Sequence, residues 1–171
     1  LGYRILDSSG NPTENYAGVH RSEFVYDEHN RMIAARGWDA QGQPLMVNGA
    51  WESTLEYNED YLIESKTSRD TQGNPVEING IAETVMYFDL QGNKIAEFYL
   101  DATGEPARDS EGVFLYRTVF DDHGFALERS VWEPDGSPGE SSYGYHTEVF
   151  VYNDLGVYLR TEELDLNGDP I

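Results

Sequence analysis

The side chains able to do chemistry stand at a recurring interval. His20 and His146 each lie six residues before an aromatic (Tyr26, Tyr152), and His29 and His123 each precede the last residue of a turn (Asn30, Gly124). Three or four repeat lengths separate the members of each pair, so a metal or general-base cluster would need a sheet that closes on itself. The carboxylates recur in the same way. Asp7, Asp39, Asp70, Asp101, Glu133 and Asp165 each stand three residues before a Gly that begins Gly-x-Pro. On successive hairpins such acids lie roughly 10 Å apart, from the spacing of paired strands. That is too far for a shared proton and outside the ~5–5.5 Å of a retaining glycosidase, though near the inverting range. No repeat is interrupted to make a catalytic site. Asp165-Leu166-Asn167-Gly168-Asp169 has the spacing of a calcium loop, with Asp165, Asn167 and Asp169 as the candidate metal ligands and turn chemistry as the competing reading. Gly139–Gly144 is a serine-bearing loop without the Gly-x-Ser-x-Gly of a nucleophile elbow, and the sequence has no P-loop and no Gly-x-Gly-x-x-Gly. The aromatics are the remaining chemistry. Trp38 and Trp132 share one repeat position beside Asp39 and Glu133, and Tyr99, Tyr143 and Tyr145 join them as binding candidates. Rings among acids and amides stack on sugars or build protein interfaces, and otherwise fill a core.

The elements that position these residues follow from the interval itself. Gly-x-Pro recurs at Gly10, Gly42, Gly73, Gly104, Gly136 and Gly168, in steps of 31 or 32 residues. A second series runs in phase: Tyr26-Asp27, Tyr57-Asn58, Phe88-Asp89, Phe120-Asp121 and Tyr152-Asn153. A third, Gly18, Gly49, Gly80, Gly112 and Gly144, precedes each of those aromatics by eight residues. With Gly92, Gly124 and Gly156, which stand three residues after the Asp or Asn of the second series, the series take 14 of the 17 glycines and six of the seven prolines. The one-residue variation in length falls between the Pro and the following Gly, which marks that connection as the tolerant loop. Such a period identifies a repeat architecture, with units at about 7–38, 39–69, 70–100, 101–132 and 133–164 and partial units at both ends of a single 1–171 domain.

Asp at the first place of a turn and Gly at the fourth is type I chemistry, and Gly or Asn in that fourth place suits a hairpin closed by a bulge. The Asp carboxylate can accept from the backbone two residues on. Pro has no N–H to give and belongs at a strand edge or loop. The segments between turns, such as Ile81–Phe88 and Lys94–Leu100, are rich in β-branched and aromatic residues. In each first strand the closing aromatic and the residue two before it share a face, and this face is the expected core. The second strands are less regular: Ile33, Ile95, Leu127 and Leu159 differ in parity from Trp38, Leu100, Trp132 and Leu164, which calls for a bulge or for cover on both faces. The expectation is an all-β antiparallel meander with one hairpin per repeat and about ten strands, which twist curls into a spiral or open shell. A small propeller is the alternative, but its blades need four strands.

Composition removes whole classes. The net charge of −21, from 32 acidic and 11 basic residues, excludes nucleic-acid binding, which draws on Lys and Arg, and adhesion to anionic lipid. The absence of Cys excludes a disulfide framework and thiolate chemistry. No apolar run approaches the ~20 residues of a membrane helix. With 3 Trp, 12 Tyr and 7 Phe the chain is too aromatic for disorder.

Tyr26-Asp27-Glu28-His29-Asn30-Arg31, Phe88-Asp89-Leu90-Gln91-Gly92-Asn93 and Phe120-Asp121-Asp122-His123-Gly124 resemble the Y-D-x-x-G core of YD repeats, also called RHS repeats. The resemblance covers nearly the whole chain, as five alternations with D-x-x-G-x-P. It departs from the family in lacking Arg-Leu after the Gly, in carrying Asn for Asp in two copies, and in its longer period. It implies strand-turn-strand units stacked into a curling sheet, within large secreted or surface-exposed bacterial proteins, some linked to carbohydrate or cell-surface binding. It implies no catalytic residue.

The chain opens on Leu1–Leu6, which reads as the second strand of a preceding repeat, so the expectation is a piece of a longer, exported bacterial protein, extracellular, surface-bound or periplasmic. Its expected role is non-enzymatic: structural display or binding of protein or glycan through an acidic, aromatic-rich face, with no nucleic acid, no membrane insertion and no required cofactor. The alternatives are a calcium-stabilised adhesive spacer, a ligand-sensing extracytoplasmic domain, and a glycan or peptide hydrolase using turn carboxylates.

Overall fold

The computed structural model describes residues 1–46 and 49–171. They form one antiparallel sheet of eleven strands in strict chain order: β1 (Gly2–Arg4), β2 (Arg21–Tyr26), β3 (Met32–Trp38), β4 (Glu52–Tyr57), β5 (Ile63–Arg69), β6 (Glu83–Phe88), β7 (Lys94–Leu100), β8 (Leu115–Phe120), β9 (Ala126–Trp132), β10 (Thr147–Tyr152) and β11 (Tyr158–Leu164). There is no helix among the described residues, and the sheet stays open, with β1 and β11 at its edges. The all-β hairpin array expected from the repeat is therefore observed, with five hairpins and one additional edge strand.

The fourteen glycines of the three series are the fourteen glycines with positive φ. Each Y-D-x-x-G turn closes in one way: in the first, Asn30 N–H donates to Asp27 O (3.1 Å), Asp27 N–H donates to Arg31 O (3.0 Å), and Asn30 takes φ 60°. The Asp27 carboxylate accepts from the N–H of His29 and of Arg31, both at 2.9 Å. The side chain thus ties down the donors that a five-residue turn leaves facing it.

A bulge, the first of the two explanations for the irregular second strands, is what the register shows. Within β2 and β3, Val25 pairs with Ala34 and Tyr26 with Met32, passing over Ile33. The same step passes over Ile95, Leu127 and Leu159 in the later hairpins. The odd parity of these apolar residues is the bulge itself.

Hairpins and the seams between them differ in extent. β2–β3, β4–β5, β6–β7, β8–β9 and β10–β11 each share six residue pairs. The seams β3–β4, β5–β6, β7–β8 and β9–β10 share three. Beyond each seam the chain leaves the ladder to make a small excursion. D-x-x-G turns it back, and the Pro bridges the residue before the turn acid, as in Trp38↔Pro44 and Leu100↔Pro106. The residue after the Pro then donates to the strand: Leu45 N–H to Gly37 O, and Ala107 N–H to Tyr99 O, both at 2.9 Å.

The third glycine series closes a further turn on this excursion. Gly18 donates to Asn15 O, Gly112 to Asp109 O and Gly144 to Ser141 O. The short version is a two-residue reversal: Ile78 and Ile81 exchange both backbone bonds across Asn79 (φ 56°) and Gly80 (φ 85°), the mirror-image turn that requires positive φ at both central residues. At Asn79-Gly80 the one-residue shortening is therefore a change of turn type, not slack in an unstructured loop.

The most buried cluster lies under these excursions: Tyr99, Ala107, Val113, Tyr116, Val131 and Tyr145, with Ile81 packed against it. Tyr116 lies on the expected core face, two residues before Thr118 and four before Phe120. The core thus sits farther along the strand than expected. The closing aromatics Tyr57, Phe88, Phe120 and Tyr152 are only half-buried, and Tyr26 is exposed. The reason is cover: the folded-back excursion screens the far part of that face, whereas the part beside the Y-D turns has only neighbouring turns against it.

Those turns stack. Leu62 reaches to within 3.8 Å of where a Cβ of Gly92 would stand, and the Arg31 guanidinium lies 4.9 Å from the Tyr61 ring centre. At Gly156 the packing is tightest, since a Cβ there would meet Phe125 Cζ at 2.9 Å.

Candidate functional site

Small side chains of the earlier repeats give way to tyrosines where the third repeat meets the fourth. Superimposing the repeats by their turn acids places Tyr116 where Ser22, Ser53 and Thr84 stand in the first three repeats and Glu148 in the fifth, and Tyr99 where Gly37 and Ser68 stand in the first two and Val131 and Glu163 in the last two. Small residues on a pleated strand leave space over the sheet. Two tyrosines in their place bring rings and hydroxyls into it. A pocket of about 310 Å³ opens here, lined by Lys94, Glu97, Tyr99, Asp109, Glu111, Tyr116, Phe120 and Arg129 among others.

β7 supplies Lys94, Glu97 and Tyr99, β8 supplies Tyr116, and β9 supplies Arg129. Glu97 pairs across the seam with Tyr116. The turn from Asp109 to Gly112 brings two further carboxylates over the strands. Asp109 Oδ1 accepts from Glu111 N–H (2.9 Å) and Val113 N–H (3.0 Å), which leaves Oδ2 free to face the sheet. The Tyr116 hydroxyl sits 3.1 Å from both Asp109 Oδ2 and Glu111 Oε2. Tyr145, from the fifth repeat, donates its hydroxyl to the same Glu111 oxygen, and Tyr99 donates to Glu97 Oε1 at 2.8 Å.

The cations of the pocket are engaged. Lys94 pairs with Glu97. Arg129 donates to Glu148 Oε2 at 2.5 Å, and its guanidinium carbon lies 4.5 Å from the Tyr116 ring centre, within cation–π range. Desolvation pulls the Lys94 ammonium down from its ordinary value, helped by the nearby Arg129 charge. Burial also opposes the charge on Arg129, but Glu148 outweighs it and the guanidinium is held above its ordinary value. The tyrosines move up. Burial, then the Asp109 charge, pushes Tyr99 to about 12. Burial, then the bond to Glu111, pushes Tyr145 to about 12, and Tyr116 rises by burial and by its contact with Tyr145. All three hydroxyls keep their protons at neutral pH, and those of Tyr99 and Tyr145 act as donors to carboxylates.

Two of the five aromatics named from sequence, Tyr99 and Tyr145, meet here, while the others lie elsewhere. Trp38 on β3 and Trp132 on β9 are separated by five intervening strands. Each has a guanidinium over its ring: Arg21 at 3.8 Å on Trp38, and Arg117 at 4.3 Å on Trp132. Tyr143 stands in the Ser141–Gly144 turn, largely exposed. Tyr116, Asp109, Glu111, Lys94, Glu97 and Arg129 were not singled out from sequence. The legible signal was Tyr116, a bulky residue where the first three repeats have Ser or Thr; the spacing of the repeat is uninterrupted there, but its composition is not.

The remaining candidates are turn and anchor groups in their geometry. Asp165 Oδ1 accepts from Asn167 N–H (2.8 Å) and Asp169 N–H (2.9 Å), while the Asn167 amide donates to Oδ2 at 3.1 Å. Among the described residues, no group of three or more His, Cys, Asp or Glu is placed to hold a metal ion. His20 and His146 each direct Nδ1 at a carbonyl of their own repeat, Thr13 O at 2.9 Å and Gly139 O at 2.8 Å. A carbonyl only accepts, so Nδ1 carries the hydrogen. Among the described residues no helix is long and apolar enough to cross a membrane. The sequence matches no family model and no curated protein.

Proposed function

We propose that the chain is a non-enzymatic binding module: a β-hairpin repeat scaffold that carries a ligand pocket where its third and fourth repeats meet. The observation that carries this reading is the appearance of Tyr99 and Tyr116 at places where the preceding full repeats carry Gly, Ser or Thr, because it brings hydroxyls, carboxylates and cations around one cavity of about 310 Å³. The use of the turn acids supports it. Asp7, Asp27, Asp39, Asp70, Asp89, Asp101, Asp121 and Asp165 each accept two backbone N–H donors. Carboxylates so employed serve the fold rather than acid–base work. The likeness of the Y-D-x-x-G turns to YD repeats supports placing the module in a larger exported bacterial protein, where such a pocket would face extracellular or periplasmic ligands.

The test is a thermal-shift and calorimetric screen of amines, short peptides and mono- and oligosaccharides against the native chain and a Tyr116→Ser variant. At least one class is expected to raise the midpoint of the native chain and to leave the variant unmoved. A flat response of the native chain to every class overturns the reading.

A further inference from the structure

We propose that the groove over the second repeat is a separate binding site, and that it takes a small free aromatic carboxylate. The site is independent of the pocket between the third and fourth repeats. Its walls stand, unit for unit, where the fourth repeat's excursion covers the buried cluster. Gly37 takes the place of Tyr99, Leu45 of Ala107, Ala50 of Val113, Ser53 of Tyr116 and Ser68 of Val131. The same backbone that closes there over a packed core closes here over small side chains. Leu45 returns part of the bulk, since a Cβ on Gly37 would stand 3.8 Å from Leu45 Cβ. The rest remains as a cavity of about 300 Å³, at the lower end of ligand-site volumes. In the equivalent space the chain itself places two phenol rings, so a ring is the shape that fits.

The walls also suit a ring. Trp51 is fixed in place: its Nε1–H donates to Gly37 O at 3.1 Å, and its ring meets Trp38 edge-on with centres 5.9 Å apart. Phe24 lines the groove as well, and aromatic walls pair with an aromatic ligand beyond the area they bury.

Two polar groups fix what that ring carries. Ser53 Oγ is buried in the groove wall and has no hydrogen-bond partner among the described residues, a rare state for a buried hydroxyl. At the equivalent place the Tyr116 hydroxyl reaches Asp109 and Glu111. The second group is Lys66. Arg36 and Glu52 of the groove pair with one another at 2.6 Å, whereas among the described residues no carboxylate pairs with the Lys66 ammonium. The groove therefore keeps a positive charge in a chain of net charge −21. Ser53 pairs with Ser68 across the hairpin, which makes Lys66 its diagonal neighbour on the same face, a distance that a long side chain spans. A carboxylate placed between them accepts from both, one bond from the hydroxyl and one from the ammonium.

Calorimetry on the full chain with phenylacetate, 3-phenylpropionate, phenylacetamide and acetate tests the site. At least one of the two aromatic acids is expected to bind. Phenylacetamide keeps the ring without the charge, acetate the charge without the ring, and each is expected to bind about ten-fold or more weakly, the scale of one charged hydrogen bond. Lys66→Gln alters an exposed side chain and should weaken the acids to the same extent, and Ser53→Ala should weaken them less. Ser53→Tyr installs the fourth repeat's residue and should abolish binding while holding or raising the thermal midpoint. Lys66→Gln and Ser53→Ala decide the matter whether or not Ser53→Tyr folds. Silence of both aromatic acids, equal binding of phenylacetamide, native affinity in both Lys66→Gln and Ser53→Ala, or binding that survives in a folded Ser53→Tyr chain overturns the proposal.

Discussion

The second and fourth repeats solve one packing problem in opposite ways. Under the fourth repeat's excursion the strands bring Tyr99, from the third repeat, with Tyr116 and Val131, and the excursion above them is trimmed to Ala107. At the corresponding places the second has Ser53 and Ser68 on the strands, with Gly37 of the first repeat beside them and Leu45 above. The backbone bond is conserved, Leu45 N–H to Gly37 O and Ala107 N–H to Tyr99 O, both 2.9 Å. Bulk has moved from the cover to the sheet. The second repeat keeps a groove of about 300 Å³ with largely apolar walls, Leu45, Ala50 and Trp51 among them. The fourth buries its rings and turns their hydroxyls toward carboxylates. One backbone thus supports either an apolar groove or a polar pocket over a dense core, according to which side of the interface holds the large residue.

The sharpest way to break this contrast is to give the fourth repeat the second's residue. Tyr116→Ser removes a ring that is 7% exposed and is expected to cost about 3 kcal/mol, by the usual scale of large-to-small core changes, read from the urea midpoint at constant slope. A cost below about 1 kcal/mol would show that the ring is not a core element. Val131→Ser is next. Val131 is fully buried, and the change loses a side chain's apolar burial and adds a hydroxyl to a dry site, about 2 kcal/mol together.

Alkaline pH discriminates the repeats without mutation. Tyr99 and Tyr145 are held near 12, above an unfolded value of about 10. Their neutral forms therefore contribute stability that is whole below pH ~10 and lost as pH rises through 12. The tyrosinate absorbance of the native chain should rise later than that of Tyr99→Phe/Tyr145→Phe, and the midpoint should fall over the same interval. The reciprocal change, Ser68→Val, fills the groove of the second repeat and should stabilise by less than about 1 kcal/mol. The smallest effect per group lies at low pH. Asp7, Asp70 and Asp89 are held below the usual carboxylate range: Asp7 by backbone donors, Asp70 and Asp89 first by the Asn74 and Asn93 amides. Each contributes stability that is present above pH ~4 and lost as pH falls through its lowered value. Asp89→Asn, matching Asn58 and Asn153 in that slot, should soften the acid limb and leave the turn intact.

The turns were legible because their grammar is local. Asp27, Asp39 and Asp89 bond to backbone groups two and four residues away, so sequence spacing carries the whole interaction. The bulge left a trace in the parity of Ile33 and Leu127. The turn at Gly18, Gly112 and Gly144 was hidden because a neighbouring repeat closes the same place with Asn79-Gly80 one residue sooner, and two lengths in one slot look like slack. The pocket was harder still. Tyr99, Tyr116 and Tyr145 belong to three repeats, and their meeting depends on seams of three residue pairs and on an excursion that folds back over the face. Trp38 and Trp132, conspicuous in sequence, take their partners Arg21 and Arg117 from their own hairpins.

The two ways of closing the excursion bear on how such a chain grows. A five-residue turn at Asp109–Val113 and a two-residue reversal at Asn79-Gly80 return the backbone to the same seam, with three pairs on either side. A one-residue insertion or deletion there is absorbed before the next strand begins, and no downstream side chain changes face. Whole units can accordingly be duplicated, lost or exchanged by recombination at this point without re-registering the rest of the sheet. A pocket built between units, as at Tyr99 and Tyr116, depends instead on which units such an exchange leaves side by side.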